Sequence, residues 1–171
     1  MINNVTFRLF KLSELFNISG TKTTSLDELR EYGIGRYPYV TTQSTNNGVA
    51  GFYNFYTKEG NVLTIDSAVA GFCSYHEDNF SASDHVEKLV PKFKMDKNIG
   101  LYISSLINKN NYRFSYGRKA NQKQIRNIEI PLPIKTDNSV DWEYIYIYAV
   151  IGKRHQATNL QQLGGHHEYD F

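Results

Sequence analysis

The sequence predicts one domain of the α+β class, in which short strands are interleaved with short helices. Three observations carry this. Apolar residues make up 40% of the 171 positions and aromatic residues 14%, with thirteen Tyr and ten Phe against four Pro, enough to form a core. Short β-branched or aromatic runs recur, among them Val62-Leu63-Thr64-Ile65 and Val86 to Val90. Between them lie a Ser-x-x-Glu capping box at Ser25 to Glu28 and an amphipathic pattern at Ile99, Tyr102, Ile103, Leu106 and Ile107.

Taken in order, Phe7 to Phe16 reads as an extended segment followed by a short helical turn. Asn17 to Thr24 is polar and holds a glycine, so a loop is expected. The capping box starts a helix over Leu26 to Tyr32, and Gly33 stops it. Tyr37 to Val40 is a strand whose Pro38 favours an edge. Thr41 to Gly48 is an eight-residue polar loop ending in an Asn-Gly turn signal. Phe52 to Tyr56 is the next strand, Glu59 to Asn61 a turn, and Val62 to Ile65 a buried strand. Gly71 and its small neighbours allow a close backbone approach. Ile99 to Ile107 is the clearest helix, ended by Asn108 to Asn111. Tyr112 to Tyr116 alternates as a strand would, and Gly117 to Ala120 is a basic loop. Asn121 caps a short helix through Arg126, and the strand Ile128 to Leu132 is ended by prolines. Residues 142–151 carry both helical and alternating signals, with helix preferred behind Asp141. These readings divide the chain into a domain over 1–134 and a linker, short helix and loose tail over 135–171.

The net charge of +2 hides an asymmetry. Lys88 to Arg126 holds ten Lys or Arg and one acid, Asp96, a net of +9. The remainder holds nine basic and sixteen acidic residues, a net of −7. Such a split suits a polyanion-binding face, although solvated lysines on exposed helices give the same count.

Catalytic motifs are missing: there is no phosphate-binding glycine loop and no His-Glu-x-x-His. Asp66 with Ser67, Asp84 with His85, and Cys73 with His76 or His85 are the nearest to catalytic pairs. Polar pairs beside strands recur for turn and capping reasons, and a lone cysteine behaves as a small hydrophobe. No catalytic residue and no metal site is assigned, His155, His166 and His167 included. One cysteine excludes an intramolecular disulfide framework. No apolar run is long enough to span a bilayer, and the N-terminus shows no signal-peptide pattern, so a cytoplasmic protein without a membrane partner is expected.

The polar loops read better as recognition elements. Gln and Asn offer a donor beside an acceptor, as adenine requires, and Arg does so for guanine. Three clusters qualify: Thr41 to Asn47, Ser74 to His76, and Tyr116 to Lys123. The helix start at Asn121 adds backbone N–H groups suited to a phosphate. The base-facing candidates are Gln43, Asn46, Asn47, Tyr75, Arg118, Asn121 and Gln122. The phosphate-contact candidates are Lys22, Lys119, Lys123 and Arg126.

Four stretches then point to a family. They are Phe7-Arg8-Leu9-Phe10-Lys11-Leu12-Ser13-Glu14-Leu15-Phe16, Tyr37 to Val40 with the Asn46-Asn47-Gly48 loop, Phe80 to Val86, and Gly117 to Ile125 leading into Ile130-Pro131-Leu132-Pro133. The chain resembles a target recognition domain of a restriction–modification specificity (S) subunit, of type I or related multisubunit type II systems. The resemblance covers about residues 5 to 134, and Asp141-Trp142-Glu143-Tyr144 looks like the tail of the type II-like branch. It implies a twisted, partly barrel-like mixed β-sheet with flanking short helices. It implies a non-catalytic subunit that reads double-stranded DNA and positions a partner adenine methyltransferase, with a restriction subunit as a further partner. S-adenosylmethionine would then sit on the methyltransferase, with no cofactor on this chain. Type I specificity subunits usually carry two recognition domains separated by long helices, whereas this chain has one. Three expectations follow from that: a half-subunit that pairs with itself, a fragment, or one of the smaller type II-like subunits. The rival from the residues alone is a protein-interaction or scaffold module without DNA binding, using Trp142, Tyr144, Tyr146 and Tyr148.

Overall fold

Strands and helices alternate along the chain in the computed structural model, which describes residues 5–68, 71–109 and 120–152. β1 (Phe7–Lys11) runs into α1 (Leu12–Leu15) and then β2 (Phe16–Gly20). Next come α2 (Leu26–Glu31), β3 (Ile34–Val40) and β4 (Val49–Tyr53). β5 (Val62–Asp66), β6 (Cys73–His76), β7 (Ser81–Ala82) and β8 (Val86–Pro91) precede the long helix α3 (Lys97–Asn108). α4 (Gln122–Arg126), β9 (Glu129–Pro133) and a helix over 142–152, labelled α5, complete the described residues.

The strands form three sheets: β1-β9, β2-β8-β5-β6 and β4-β3-β7. Only the parallel β3–β7 contact makes the last one mixed. The class is α+β as expected, but among the described residues the strands make three open sheets and none is closed.

β5 explains the layering. All five of its residues are buried, so it is covered on both faces. Leu63 and Ile65 point into the main core with Phe16, Ile18, Leu89, Ile99, Ile103 and Ile107. Val62 points the other way, into a smaller core of Val40, Phe80, Ala82 and Val86. α3 closes the main core with the stripe read from its periodicity, and Asp96 caps it by accepting from the Ile99 N–H at 2.9 Å. The smaller core joins the four-stranded sheet to the three-stranded one.

Several expectations shift. Residues 17–20 are a strand rather than a loop: β2 pairs with β8 from Phe16 opposite Pro91 to Gly20 opposite Glu87. Its alternation is too short to stand out, and Phe16 and Ile18 alone supply the buried face. The strand expected over 52–56 lies at Val49–Tyr53, because β4 must return from the Asn-Gly turn in register with β3. Pro38 lies in the middle strand of its sheet but outside the two residues paired with β7. Pro131 and Pro133 lie inside β9, which a two-stranded ribbon permits because each strand has an unpaired edge. Residues 142–152 are helical, with Asp141 Oδ1 accepting from the Tyr144 N–H at 3.0 Å. The core runs past residue 134, since Ile145 is fully buried and Trp142 stacks on Phe93 at 3.9 Å. The strand expected over 112–116, the basic loop over 117–119 and the tail from 164 lie outside the described residues.

Candidate nucleic-acid interface

Two edges of the four-stranded sheet hold the described reading candidates. At the β2 edge, α4 is anchored by buried Ile125 and leaves Asn121, Gln122, Lys123 and Arg126 exposed. Asn121 Oδ1 accepts from the Gln124 N–H at 2.9 Å, and Gln124 Oε1 accepts from the Asn121 N–H at 3.2 Å. The helix start is therefore closed by its own capping box, and this first-turn N–H is not offered to a phosphate. Replacing Asn121 by Ala is expected to cost about 1 kcal/mol of stability, read as a lower urea midpoint at unchanged slope.

Arg126 donates from its guanidinium to the Ile18 carbonyl at 2.5 Å, which fastens α4 to β2 and leaves further N–H groups on the fork. Gln122 lies over Gly20, where a Cβ would sit 3.4 Å from Gln122 Nε2 and 3.7 Å from Glu87 Oε2. Lys22 follows two residues later and is exposed. The structure thus brings Asn121, Gln122, Lys123, Arg126 and Lys22 to the Gly20 end of β2. Arg118 and Lys119 lie outside the described residues.

At the opposite edge the loop over 41–48 meets β6. Asn46 and Asn47 take left-handed conformations, with φ of 50° and 55°, and Gly48 follows at 77°. Asn tolerates this region better than most residues, which accounts for the pair. The amide groups hold the loop together. Gln43 donates to the Val49 carbonyl at 2.7 Å, Asn46 to the same carbonyl at 2.9 Å, and Asn47 to the Tyr75 carbonyl at 2.8 Å. Gln43, Asn46 and Asn47 are therefore builders of the loop through their amide nitrogens. Each keeps an amide oxygen as an acceptor.

Tyr75 is not presented to a ligand in the way its sequence context suggested. It is 6% exposed, its hydroxyl donates to Asn61 Oδ1 at 3.1 Å, and its ring packs on Gly100. Ser74 and His76 are buried as well. β6 is buried along its whole length, a tertiary fact that four residues of sequence do not encode, and Tyr75 and His76 meet the surface at the wall of a cleft. That cleft, of about 280 Å³, opens beside this loop, with Asn47, Phe52, Glu77, Lys97 and Leu101 also on its walls. A Lys97–Glu77 ion pair of 2.7 Å crosses its rim.

The polar pairs named from the sequence lie in different settings. Cys73 is buried, which pushes its thiol well above the usual range. His76 is pushed down to about 4 by burial, sits 2.9 Å from Thr64 Oγ1 and stacks on Phe80. Asp66 accepts from the Ala68 N–H at 2.7 Å, and Asp84 and His85 form an exposed pair 3.6 Å apart. His155, His166 and His167 lie outside the described residues. Among the described residues no helix is long and apolar enough to cross a membrane.

On α5, Tyr146, Ile147 and Tyr148 are 44%, 48% and 58% exposed, whereas Trp142 is taken into the core. Lys58 is buried, and the sequence gives no sign of it, because a lysine beside a Glu-Gly turn carries no signal of its own.

The family model described as type I restriction modification DNA specificity domain matches residues 4–154. The type II restriction enzyme BgcI specificity subunit S.BcgI of Heyndrickxia coagulans is 27% identical over 96% of this chain and 50% of its own length. This chain therefore spans about half of that curated relative. The S subunit of a type I restriction–modification system from M. genitalium superposes with a TM-score of 0.64 at 14% identity, over 95% of this chain and 43% of that one. The HsdS subunit from Thermoanaerobacter tengcongensis gives 0.58 at 12% identity, over 94% and 40%. At such identities these two likenesses concern the fold.

Proposed function

The chain belongs to the type I restriction modification DNA specificity domain family, and from that premise we propose that it reads one part of a double-stranded DNA site as a specificity element. In this reading it does no chemistry. It positions a partner adenine methyltransferase, with a restriction subunit as a further partner, and S-adenosylmethionine belongs to the methyltransferase. It acts in the cytoplasm. The chain spans about half of its curated relative, and in this reading a second recognition domain supplies the other half-site.

The observation that carries the reading is the placement of two polar clusters at opposite edges of one sheet. β2 and β6 are three strand spacings apart, about 14 Å. That is the rise of about four base pairs, a suitable reach for a short half-site. Gln122, Asn121 and the amide oxygens of Gln43, Asn46 and Asn47 are the described groups of base-reading type. Lys22, Lys123 and Arg126 are the phosphate-contact type, with Arg118 and Lys119 adjoining them in sequence. The net +9 of residues 88–126 favours the same ligand.

The test is binding of the purified chain to a pool of random duplexes at two salt concentrations, alone and with a DNA adenine methyltransferase of the same restriction–modification type. The expected result is an enriched short motif and affinity that falls steeply with salt. Lys123→Ala should weaken all sequences alike and lower the salt slope by about one unit. Gln122→Ala should cost about 1–3 kcal/mol at one base position. No enrichment in either condition would overturn the reading.

The exposed Tyr146, Ile147 and Tyr148 of α5 favour a second role, holding a protein partner. Salt-insensitive binding to that partner, lost in Tyr148→Ala, would support it.

A further inference from the structure

Lys58 is the odd residue of the smaller core. It is 9% exposed, and its backbone is pinned: its N–H donates to the Phe80 carbonyl at 2.9 Å and its carbonyl accepts from the Phe80 N–H at 3.0 Å. Its ammonium donates to Thr57 Oγ1 at 2.6 Å, and Thr57 Oγ1 lies 2.9 Å from Thr24 Oγ1. No carboxylate among the described residues forms an ion pair with it. The charged groups that act on it are instead Lys88 and Lys22, which add to burial in loosening its proton.

The register explains how Lys58 and Lys88 come to one side of the sheet. Lys88 stands in β8 between Ser19 of β2 and Thr64 of β5. Val86 of the smaller core and partly buried Val90 flank it two residues either side, so Lys88 faces the same way. Its neighbour Glu87 points to the opposite face, toward Gln122. Lys22 follows the Gly20 end of β2 and is exposed, as is Thr57, so the hydroxyl that holds the Lys58 ammonium lies at the surface.

A partly buried ammonium that lacks a counter-charge is unfavourable, and two like charges nearby make it more so. A singly charged phosphodiester relieves both costs. Its two free oxygens accept from ammonium and hydroxyl donors, and an ammonium retains donors beyond the one given to Thr57. We infer that Lys58, Lys88 and Lys22, with the Thr57 hydroxyl, form a seat for a backbone phosphate of duplex DNA at the Gly20 end of β2. This rests on the DNA-reading function and adds to it a contact at the same end of β2 as Gln122, on the opposite face of the sheet.

The experiment measures binding of the full chain to random-sequence duplex as a function of salt, together with urea unfolding of the free protein, for wild type and Lys58→Met. The expected result is a salt slope lower by about one unit, affinity weakened alike for all sequences, and a urea midpoint unchanged or higher. A lysine that merely supports the fold gives the reverse: a lower midpoint and an unchanged slope. Should Lys58→Met fail to fold, Lys88→Gln and Lys22→Gln carry the same expectation from less buried positions. Wild-type binding with an unchanged slope in these variants overturns the phosphate seat and leaves the DNA reading standing. Wild-type protein that binds no duplex, alone or with the methyltransferase, removes both.

Discussion

Phe80→Ala is expected to lower the free energy of unfolding by about 3–5 kcal/mol, the upper range for truncating one buried side chain. Phe80 has no exposure and is the bulkiest member of the smaller core, with Val40, Val62, Ala82 and Val86 around it. Its ring stacks on His76 at 5.1 Å, and its backbone forms the bridge to Lys58. Removing the ring opens a cavity between two sheets that have few other apolar ties. Urea unfolding of the variant should show a much lower midpoint, and α3 on the far side of the four-stranded sheet should be the last helix to lose protection from hydrogen exchange. A loss under 1 kcal/mol would mean that the two sheets are held together by something other than this core.

His76 gives the second large effect, through pH. Burial holds its imidazole neutral down to about 4, whereas in the unfolded chain it takes up a proton near its ordinary value of 6.5. Between these values the unfolded state binds more protons. Stability is therefore full above about pH 6.5 and declines as pH falls toward 4, by about 3 kcal/mol in all. His76→Gln keeps a partner for Thr64 and cannot titrate. It should remove this part of the decline, leaving only what the carboxylates contribute. Unfolding curves for the two proteins at pH 7, 5.5 and 4.5 decide the matter. Parallel declines would mean that His76 is protonated at little cost in the native state.

The local signals were the legible ones. The caps at Ser25 and Asn121, the stripe of α3 and the Asn-Gly turn depend on neighbours in the chain, and all appear where read. What depends on distant partners was not legible. β2 exists because β8 pairs with it, and the burial of Tyr75 follows from α3 lying across β6. The same limit applies to the candidate interface. Residue types suggested Gln43, Asn46 and Asn47, but only the fold reveals that their amide nitrogens are committed to the backbone of the loop. Lys58 and Lys88 lie thirty residues apart and are brought to one side of the sheet by the Phe80 bridge and the β8 register, which no spacing rule anticipates.

Cys73 is clasped on both sides by Asn108, whose side chain accepts from the Cys73 N–H at 2.7 Å and donates to its carbonyl at 2.9 Å. This ties β6 to the last turn of α3, and the thiol is the only one in the chain. It therefore serves as a built-in clock for that joint. A thiol reagent can reach it only when β6 and α3 separate, so the alkylation rate at rising reagent concentration first tracks the population of the opened form and then levels at the opening rate itself. A ligand that binds across the sheet from β2 to β6 would slow this clock, even if it never touches the sulfur.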